Sequence, residues 1–429
     1  MIKRIPHVGV FLYLTSVALH AEPMSLDRTF GIDGKVTTLI EDKNSAAFAV
    51  LIQPDGKIVA GGFVWDPGSK KEDFLLIRYL PNGERDFSFG MRGIVRTDLG
   101  GESGKPERIH GLLLQENGKI LAVGSTYNNI PNRKTGYNIA LARYTDEGSL
   151  DQSFGSDGKI TLASSENIDE EPLAMVAQDK HVVIVGRRGD KAAIWRADSQ
   201  GNVDVSFATA GVNALSLPNS VFYAVDVQGD GYIVAAGACP NSDRGEQWLV
   251  ARFDSDGALD SSQFGSSGLV LGEPLQLFGQ ARAIRVQVDG KMVVAGKKAS
   301  SLIDSDFNFG LARFTSFGAR DSHTFGSAGA IDTDMGSFND SVYGLEIQNI
   351  HEEWRIVSVG VGGIGTSLAF AVARHTEDGR PDTKFIFQLG SENASSAYAV
   401  AVQTDWKLVI VGSQKTEGQT GFGLVRIVP

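Results

Sequence analysis

Apolar residues in this chain fall into short runs separated by polar turns, and the runs recur in groups. Each group opens with an apolar run closed by glutamine: FAVLIQ at Gln53, GLLLQ at Gln115, AMVAQ at Gln178, AVDVQ at Gln228, AIRVQ at Gln287, GLEIQ at Gln348 and AVAVQ at Gln403. The intervals between these glutamines are 62, 63, 50, 59, 61 and 55 residues. A turn follows, such as PDGK at 54–57, ENGK at 116–119 or VDGK at 288–291. Asp-Gly and Asn-Gly suit a tight hairpin, because the turn needs positive φ. A second apolar run closes on Gly62, Gly124, Gly186, Gly237, Gly296, Gly360 and Gly412. A third closes on Arg78, Arg143, Arg196, Arg252, Arg313, Arg374 and Arg426.

A polar turn then leads to a motif of the type SLDQSFGSDGKI (149–160), whose end supplies a short fourth strand such as GKITL (158–162). No stretch carries a helical period. Four short strands joined in sequence at this period predict the blades of a β-propeller. The fold class expected is all-β, with four-stranded antiparallel blades.

The motif also sets the blade count. Asp86, Asp151, Asp204, Asp260, Asp321 and Asp382 each lie eight residues after the arginine of their group. Arg426 has no such Asp before Pro429, whereas a copy of the motif, SLDRTFGIDGKV (25–36), stands near the N-terminus with no repeat body in front of it. Asp27 is therefore the expected partner of Arg426, and the strand near Gly34 to Thr38 is expected to complete the last blade. Seven blades follow, in a ring closed by the N-terminal strand, which removes the exposed edge between last and first blades.

Each Arg–Asp couple is read as a bidentate structural pair. The glutamines are read as satisfying backbone groups at the first hairpin. The motif phenylalanines (Phe30, Phe89, Phe154, Phe207, Phe264, Phe325 and Phe385) are read as plugs between blades. In the sixth repeat the motif decays to KFIFQLG, which makes its fourth strand the weakest expectation.

Repeats of about this length, with a PDGKI hairpin, an LARY strand and an LDxxFGxxG turn, resemble the bacterial delta-60 repeat β-propellers. The resemblance covers nearly the whole chain after its first residues. It implies a propeller fold and no particular activity.

Composition narrows the function classes. The net charge of −11 argues against nucleic acid as a partner, since phosphate binding needs a basic surface. The start, MIKRIPHVGVFLYLTSVALHAEP, carries Lys3 and Arg4, a short apolar core from Val8 to Leu14, and small residues at Ser16, Ala18 and Ala21. It reads as a signal peptide over 1–21 that is cleaved after Ala18 or Ala21, with a single propeller domain over 22–429. Export to the periplasm or medium is expected, as a monomer without a membrane span, because the apolar run is too short to cross a bilayer. The lone cysteine, Cys239, follows a strand and reads as a small buried hydrophobe rather than half of a disulfide.

Function is expected on the face that carries the variable loops. WDPGSKKED (65–73) and STYNNIPNRKTGY (125–137) differ from the matching RRGDK (187–191), whereas the turns on the opposite face repeat their chemistry. Four residues before each Gln stand Ala49, Gly111, Ala174, Ala224, Ala283, Gly344 and Ala399, all small, as crowding near the axis requires. Five before stand Phe48, His110, Leu173, Tyr223, Arg282, Tyr343 and Tyr398, a ring expected near the channel mouth. Two before, three adjacent blades place Asp226, Arg285 and Glu346 at one depth.

This constellation reads either as an internal ion-pair cluster or as a pocket in which tyrosines stack on a ligand and charged groups orient it. The expected function is a binding or scaffold module for a protein or carbohydrate, with His110, Tyr223, Arg282, Tyr343, Tyr398, Asp226, Arg285 and Glu346 as candidate ligand-binding residues. The alternative is an exported hydrolase or lyase using a carboxylate pair at the channel mouth. No cofactor is expected. DSDGALD (254–260) resembles part of a calcium loop but reads as a turn, the acidic run from Glu166 to Glu171 as a solvated loop, and the histidines show no ligand spacing.

Overall fold

The computed structural model describes residues 24–102, 104–128, 136–162, 168–243, 245–272, 276–299, 306–336, 339–364, 367–392 and 394–429. The expected signal peptide lies outside the described residues. The strands form seven antiparallel sheets, each ordered from its first strand to its fourth. The first strands of blades 1 to 7 are Asn44–Ile52, Arg108–Leu114, Glu170–Gln178, Val221–Val227, Gly279–Val286, Ser341–Ile350 and Ser395–Val402. The chain is an all-β, seven-bladed propeller. Among the described residues no helix is long and apolar enough to cross a membrane.

The ring closes as the Arg–Asp spacing predicts. Strand Lys35–Thr38 pairs with Gln419–Val428, the third strand of blade 7, from Lys35 opposite Val425 to Thr38 opposite Phe422. Ser25–Leu26 adds a short second contact to the same strand. Asp27 accepts a hydrogen bond from Arg426 Nε at 2.9 Å, both groups being buried.

The hydrophobic core is not one body but seven layers, one at each blade interface. Successive side chains of a strand point to opposite faces. Hence Ile58 and Ala60 pack toward blade 7 while Val59 packs toward blade 2. Both faces of each sheet are covered, which is why the middle strands are apolar at consecutive positions rather than at alternate ones.

Polar groups clamp these layers together. Each blade arginine donates through Nε to its aspartate, at 2.8 Å in Arg78–Asp86, 2.6 Å in Arg143–Asp151 and 2.9 Å in Arg313–Asp321. The expected two-nitrogen contact forms in blades 3 and 4, where Nη2 joins Nε on one carboxylate oxygen in Arg196–Asp204 and Arg252–Asp260. Nη1 of Arg143, Arg313 and Arg426 instead reaches a main-chain carbonyl of the next blade: Ser199 at 2.8 Å, Glu377 at 2.6 Å, and Pro81. The motif phenylalanine lies under the guanidinium, with ring centroids 4.4–4.7 Å away for Phe154, Phe89, Phe30 and Phe325. Its far side meets a turn glycine of the next blade. At Gly83 a Cβ would come within 2.9 Å of Phe30, and φ there is +88°.

The glutamines satisfy backbone groups at a first hairpin, and the hairpin is that of the following blade. Gln178 Nε2 donates to Gly231 O at 3.0 Å and Gln228 Nε2 to Gly290 O at 3.1 Å, in the first hairpin of the following blade. A bond across the interface satisfies the same backbone group and also fixes blade spacing. Phe385 packs between blades as expected, but from within a strand rather than from a turn. In blade 6 the chain passes directly into a seven-residue fourth strand, Pro381–Phe387, where Phe385 pairs with Val372 and packs against the interface with blade 7.

The residue after the blade arginine can reach back to the previous blade. Tyr79 Oη donates to Thr38 Oγ1 at 2.9 Å, and Tyr144 Oη lies 2.8 Å from Thr97 Oγ1. His375 occupies this place in blade 6, fully buried, with Nε2 at 3.1 Å from Thr333 Oγ1. Burial pushes its pKa down to about 4 from an ordinary 6.5. Between those values the unfolded chain takes up a proton that the folded chain refuses. His375 therefore contributes stability that is present above pH 6.5 and is lost as pH falls toward 4. The expected loss is on the order of 3 kcal/mol, at about 1.36 kcal/mol for each pH unit between the two values. His375→Gln should reduce the difference in urea midpoint between pH 4.5 and 7.5; an unchanged difference would remove His375 as its source.

Candidate functional site

In a propeller blade the inner strand presents its backbone edge to the axis and its side chains to the neighbouring blades. Here the inner strands break that rule at one place each. The pairing of first with second strand shifts at Phe48, His110, Leu173, Tyr223, Arg282, Tyr343 and Tyr398, each left over between two paired neighbours. These are β-bulges, and a bulge re-aims its extra side chain. All seven bulge residues line one cavity of about 430 Å³ in the channel.

The glycines closing the second apolar runs make the bulges possible. Gly62 pairs with Ala47 and Gly237 with Phe222, directly beside the bulge. A Cβ on either would come within 1.8 Å of an inner-strand carbonyl oxygen, of Ala46 and Val221 respectively. The second strands do not end at these glycines as expected but run on, to Asp66 in blade 1 and Asn241 in blade 4.

Six of the seven side chains form a continuous arc from Tyr223 to His110. Arg282 stacks on Tyr223 with 3.9 Å from Cζ to the ring centroid, and lies 5.5 Å from the centroid of Tyr343. Tyr343 meets Tyr398 edge-on at 5.3 Å, Tyr398 meets Phe48 at 4.9 Å, and Phe48 stacks on His110 at 6.2 Å. Burial pushes the His110 pKa down to about 4, with Arg108 adding to the effect, so its imidazole is neutral near pH 7.

One row below, about 10 Å along the strands at 3.3 Å per residue, lie Asp226, Arg285 and Glu346. Arg285 Nη2 donates to Glu346 Oε1 at 2.7 Å, linking blades 5 and 6. Asp226 accepts from the backbone N–H of Val286 at 2.8 Å and of Val227 at 2.9 Å, linking blades 4 and 5. Burial raises the Asp226 pKa, against the opposing pull of Arg285. Arg285 and Glu346 touch the cavity, whereas Asp226 is not among its lining residues. This row laces three inner strands, which is the ion-cluster arrangement.

Other candidates resolve as structure. Asp254 Oδ1 accepts from the N–H groups of Asp256 and Ala258, as a turn residue does. Cys239 is buried, and burial pushes its thiol up to about 11. The acidic run is not simply solvated. Glu170 and Glu171 begin the inner strand of blade 3 and pair with Arg188 at 3.1 Å and Arg187 at 2.8 Å.

One carboxylate group escapes sequence reading: among the described residues, Asp73, Asp98 and Glu107 place ligand-type oxygens within 4.8 Å of one another. Glu107 accepts from Leu99 N, Gly101 N and Thr126 Oγ1, while Lys71 pairs with Asp98 and Arg96 with Asp73. These partners make the cluster a clasp for the loop between blades 1 and 2. A larger, open groove of about 1110 Å³ runs along the outer edges of blades 5 and 6, past Lys298, Arg320 and Arg380. It lacks the convergence of the channel.

A family model described as a domain of unknown function (DUF5122) beta-propeller matches residues 53–89, 115–154 and 228–262. The first two segments run from the glutamine that closes the inner strand to the motif phenylalanine. No curated protein matches the chain. Among solved structures, a catalytically inactive virginiamycin B lyase from Staphylococcus aureus with quinupristin is 10% identical, with 91% of this chain and 98% of that chain covered and a TM-score of 0.49. A protein of unknown function from Dyadobacter fermentans is 10% identical, covering 95% and 99%, also at 0.49. Drosophila Semaphorin 1b, extracellular domains 1–2, is 9% identical, covering 91% and 86%, at 0.46. At such identities the likeness is one of fold.

Proposed function

We propose that this propeller is an exported binding module, akin to the delta-60 repeat proteins it resembles, that takes a protein or carbohydrate ligand at the variable-loop end of its channel. The observation that carries the reading is the set of seven bulges. Nothing in propeller packing requires a side chain aimed at the axis, yet each blade places one there, and six of the seven are aromatic or charged. A cavity of about 430 Å³ lies within the range of small-ligand sites. His110, Tyr223, Arg282, Tyr343 and Tyr398 are the contact residues in this reading. Arg285 and Glu346 form its floor, and Asp226 supports the floor from the side.

Carboxylate-based hydrolysis, the alternative, needs two acids free to act at the mouth. Asp226 and Glu346 sit one row lower and are engaged by Val286 and Arg285, which favours binding.

A thermal-shift screen of the mature protein against glycans and peptides is the test. Ligands found by it should bind Tyr343→Ala and Tyr398→Ala at least about tenfold more weakly, as loss of an aromatic anchor implies. Asp226→Ala should lower the melting temperature and keep the ligand-induced shift. Ligands that shift both tyrosine variants as much as wild type would place the site elsewhere. Sequencing the N-terminus of exported protein, expected after Ala18 or Ala21, tests the export half.

A further inference from the structure

Arg282 differs from the other arginines of the channel. Arg108 pairs with Glu72 at 2.8 Å and Arg285 with Glu346 at 2.7 Å. Arg282 has no carboxylate within 4 Å among the described residues. Its Nη2 donates to the side-chain oxygen of Gln280, whose amide in turn donates to Glu246 at 2.6 Å. Its Nε is buried and has no hydrogen-bond partner among the described residues. The guanidinium stacks on Tyr223, 3.9 Å from its centroid, and lies 5.5 Å from that of Tyr343.

A second cation stands close by. Lys297 is paired across the hairpin with Gln280, and its ammonium lies 4.8 Å from the centroid of Phe307, with no carboxylate within 4 Å among the described residues. Burial lowers its pKa, Arg282 adds to the lowering, and Glu246 opposes it. The mouth at blade 5 thus holds Arg282 and Lys297 against Glu246, the latter reached only through an amide.

A half-buried guanidinium with an unused donor is costly unless something completes it. A carboxylate matches the fork geometrically, with charge-assisted bonds at about 2.7–2.9 Å. We infer that the channel mouth recognises a carboxylated sugar, with Arg282 offering the carboxylate its terminal nitrogens and the flanking tyrosines stacking on the sugar ring. The inference rests on the channel-mouth reading above and deepens it. A cavity of about 430 Å³ accommodates a compact ring, whereas a folded protein partner would reach it only with a side chain or chain end. The chain's net charge of −11 gives no long-range attraction for an acid. That far field is screened beyond about 8 Å at physiological salt, which leaves recognition to these near cations.

The test compares trigalacturonic acid with its methyl ester by titration calorimetry on the mature protein. The two differ in charge and in little else. Wild type should bind the acid at least about tenfold more tightly than the ester. Arg282→Met should bring the two within about twofold by weakening the acid far more than the ester; Tyr343→Ala should weaken both. Equal binding of acid and ester to wild type, lost in Tyr343→Ala, would overturn the anion inference and keep the channel site. Arg282-dependent binding of an acetylated tripeptide with a free carboxylate, in the absence of binding by either sugar, would overturn the sugar class. The acid–ester comparison in wild type needs no variant, so a folding defect in Arg282→Met leaves the test intact.

Discussion

A protein that lacks residues 24–38 is expected not to reach the native state under conditions where the full chain folds. The deletion removes the fourth strand of blade 7 and with it Phe30 and Met24, both buried. Full burial of such side chains is worth about 1.5–3 kcal/mol each. It also strips Arg426 of Asp27, its partner at 2.9 Å, and Lys407 of the same carboxylate at 3.4 Å. Two cations then remain beside each other, and removing one partner of a buried pair costs about 3–5 kcal/mol.

Single domains are stable by only about 5–15 kcal/mol, so these losses together approach the whole. Asp27→Ala isolates the electrostatic part and should lower stability by about 3–5 kcal/mol in chemical denaturation. A truncated protein that melts with the full-length one would mean that the ring does not depend on its clasp.

Arg143→Met is expected to cost a similar amount through one interface alone. Arg143 is 1% exposed, pairs with Asp151 at 2.6 Å, donates to Ser199 O in blade 3 at 2.8 Å and stacks on Phe154 at 4.4 Å. Methionine retains the apolar stem but leaves Asp151 with Lys119 as its remaining cation, at 2.8 Å, and the Ser199 carbonyl without this donor. The expected destabilisation is about 3–5 kcal/mol, with hydrogen exchange rising first at the interface of blades 2 and 3. Arg143→Met combined with Asp151→Asn should recover part of it, because the buried charge is then gone from both sides. A single variant within about 1 kcal/mol of wild type would show that the clamp contributes order rather than stability.

These two experiments address the features most legible in the chain. The eight-residue interval from arginine to aspartate is local in six blades, and the seventh copy is identified by elimination, Asp27 being without an arginine and Arg426 without an aspartate. Pairing across 399 residues is thus determined before any coordinate is known. The same regularity yields the apolar runs, the hairpins and the blade count, because each blade folds from contiguous sequence.

Features made by a neighbouring blade were less legible. The interval from arginine to aspartate accounts for the pair within a repeat, yet the side chains of Gln178 and Arg143 also reach the next one. No spacing within a repeat encodes that reach. Phe385 kept its place in the motif while the backbone around it continued as strand.

The channel ring shows the division most directly. Sequence alone determined which seven residues share a level, since counting back from each glutamine aligns them, and it determined the glycine on the facing strand. Only the tertiary structure decided that those residues are bulged toward the axis, because a bulge exists in the pairing of two strands and not in either strand. It also decided the different fates of Arg282 and Arg285. They stand three residues apart on one inner strand, one beside Glu346 of the next blade and the other between two tyrosines with a donor unused. Their chemistry as amino acids is identical. What separates them is the neighbour each meets once the ring has closed.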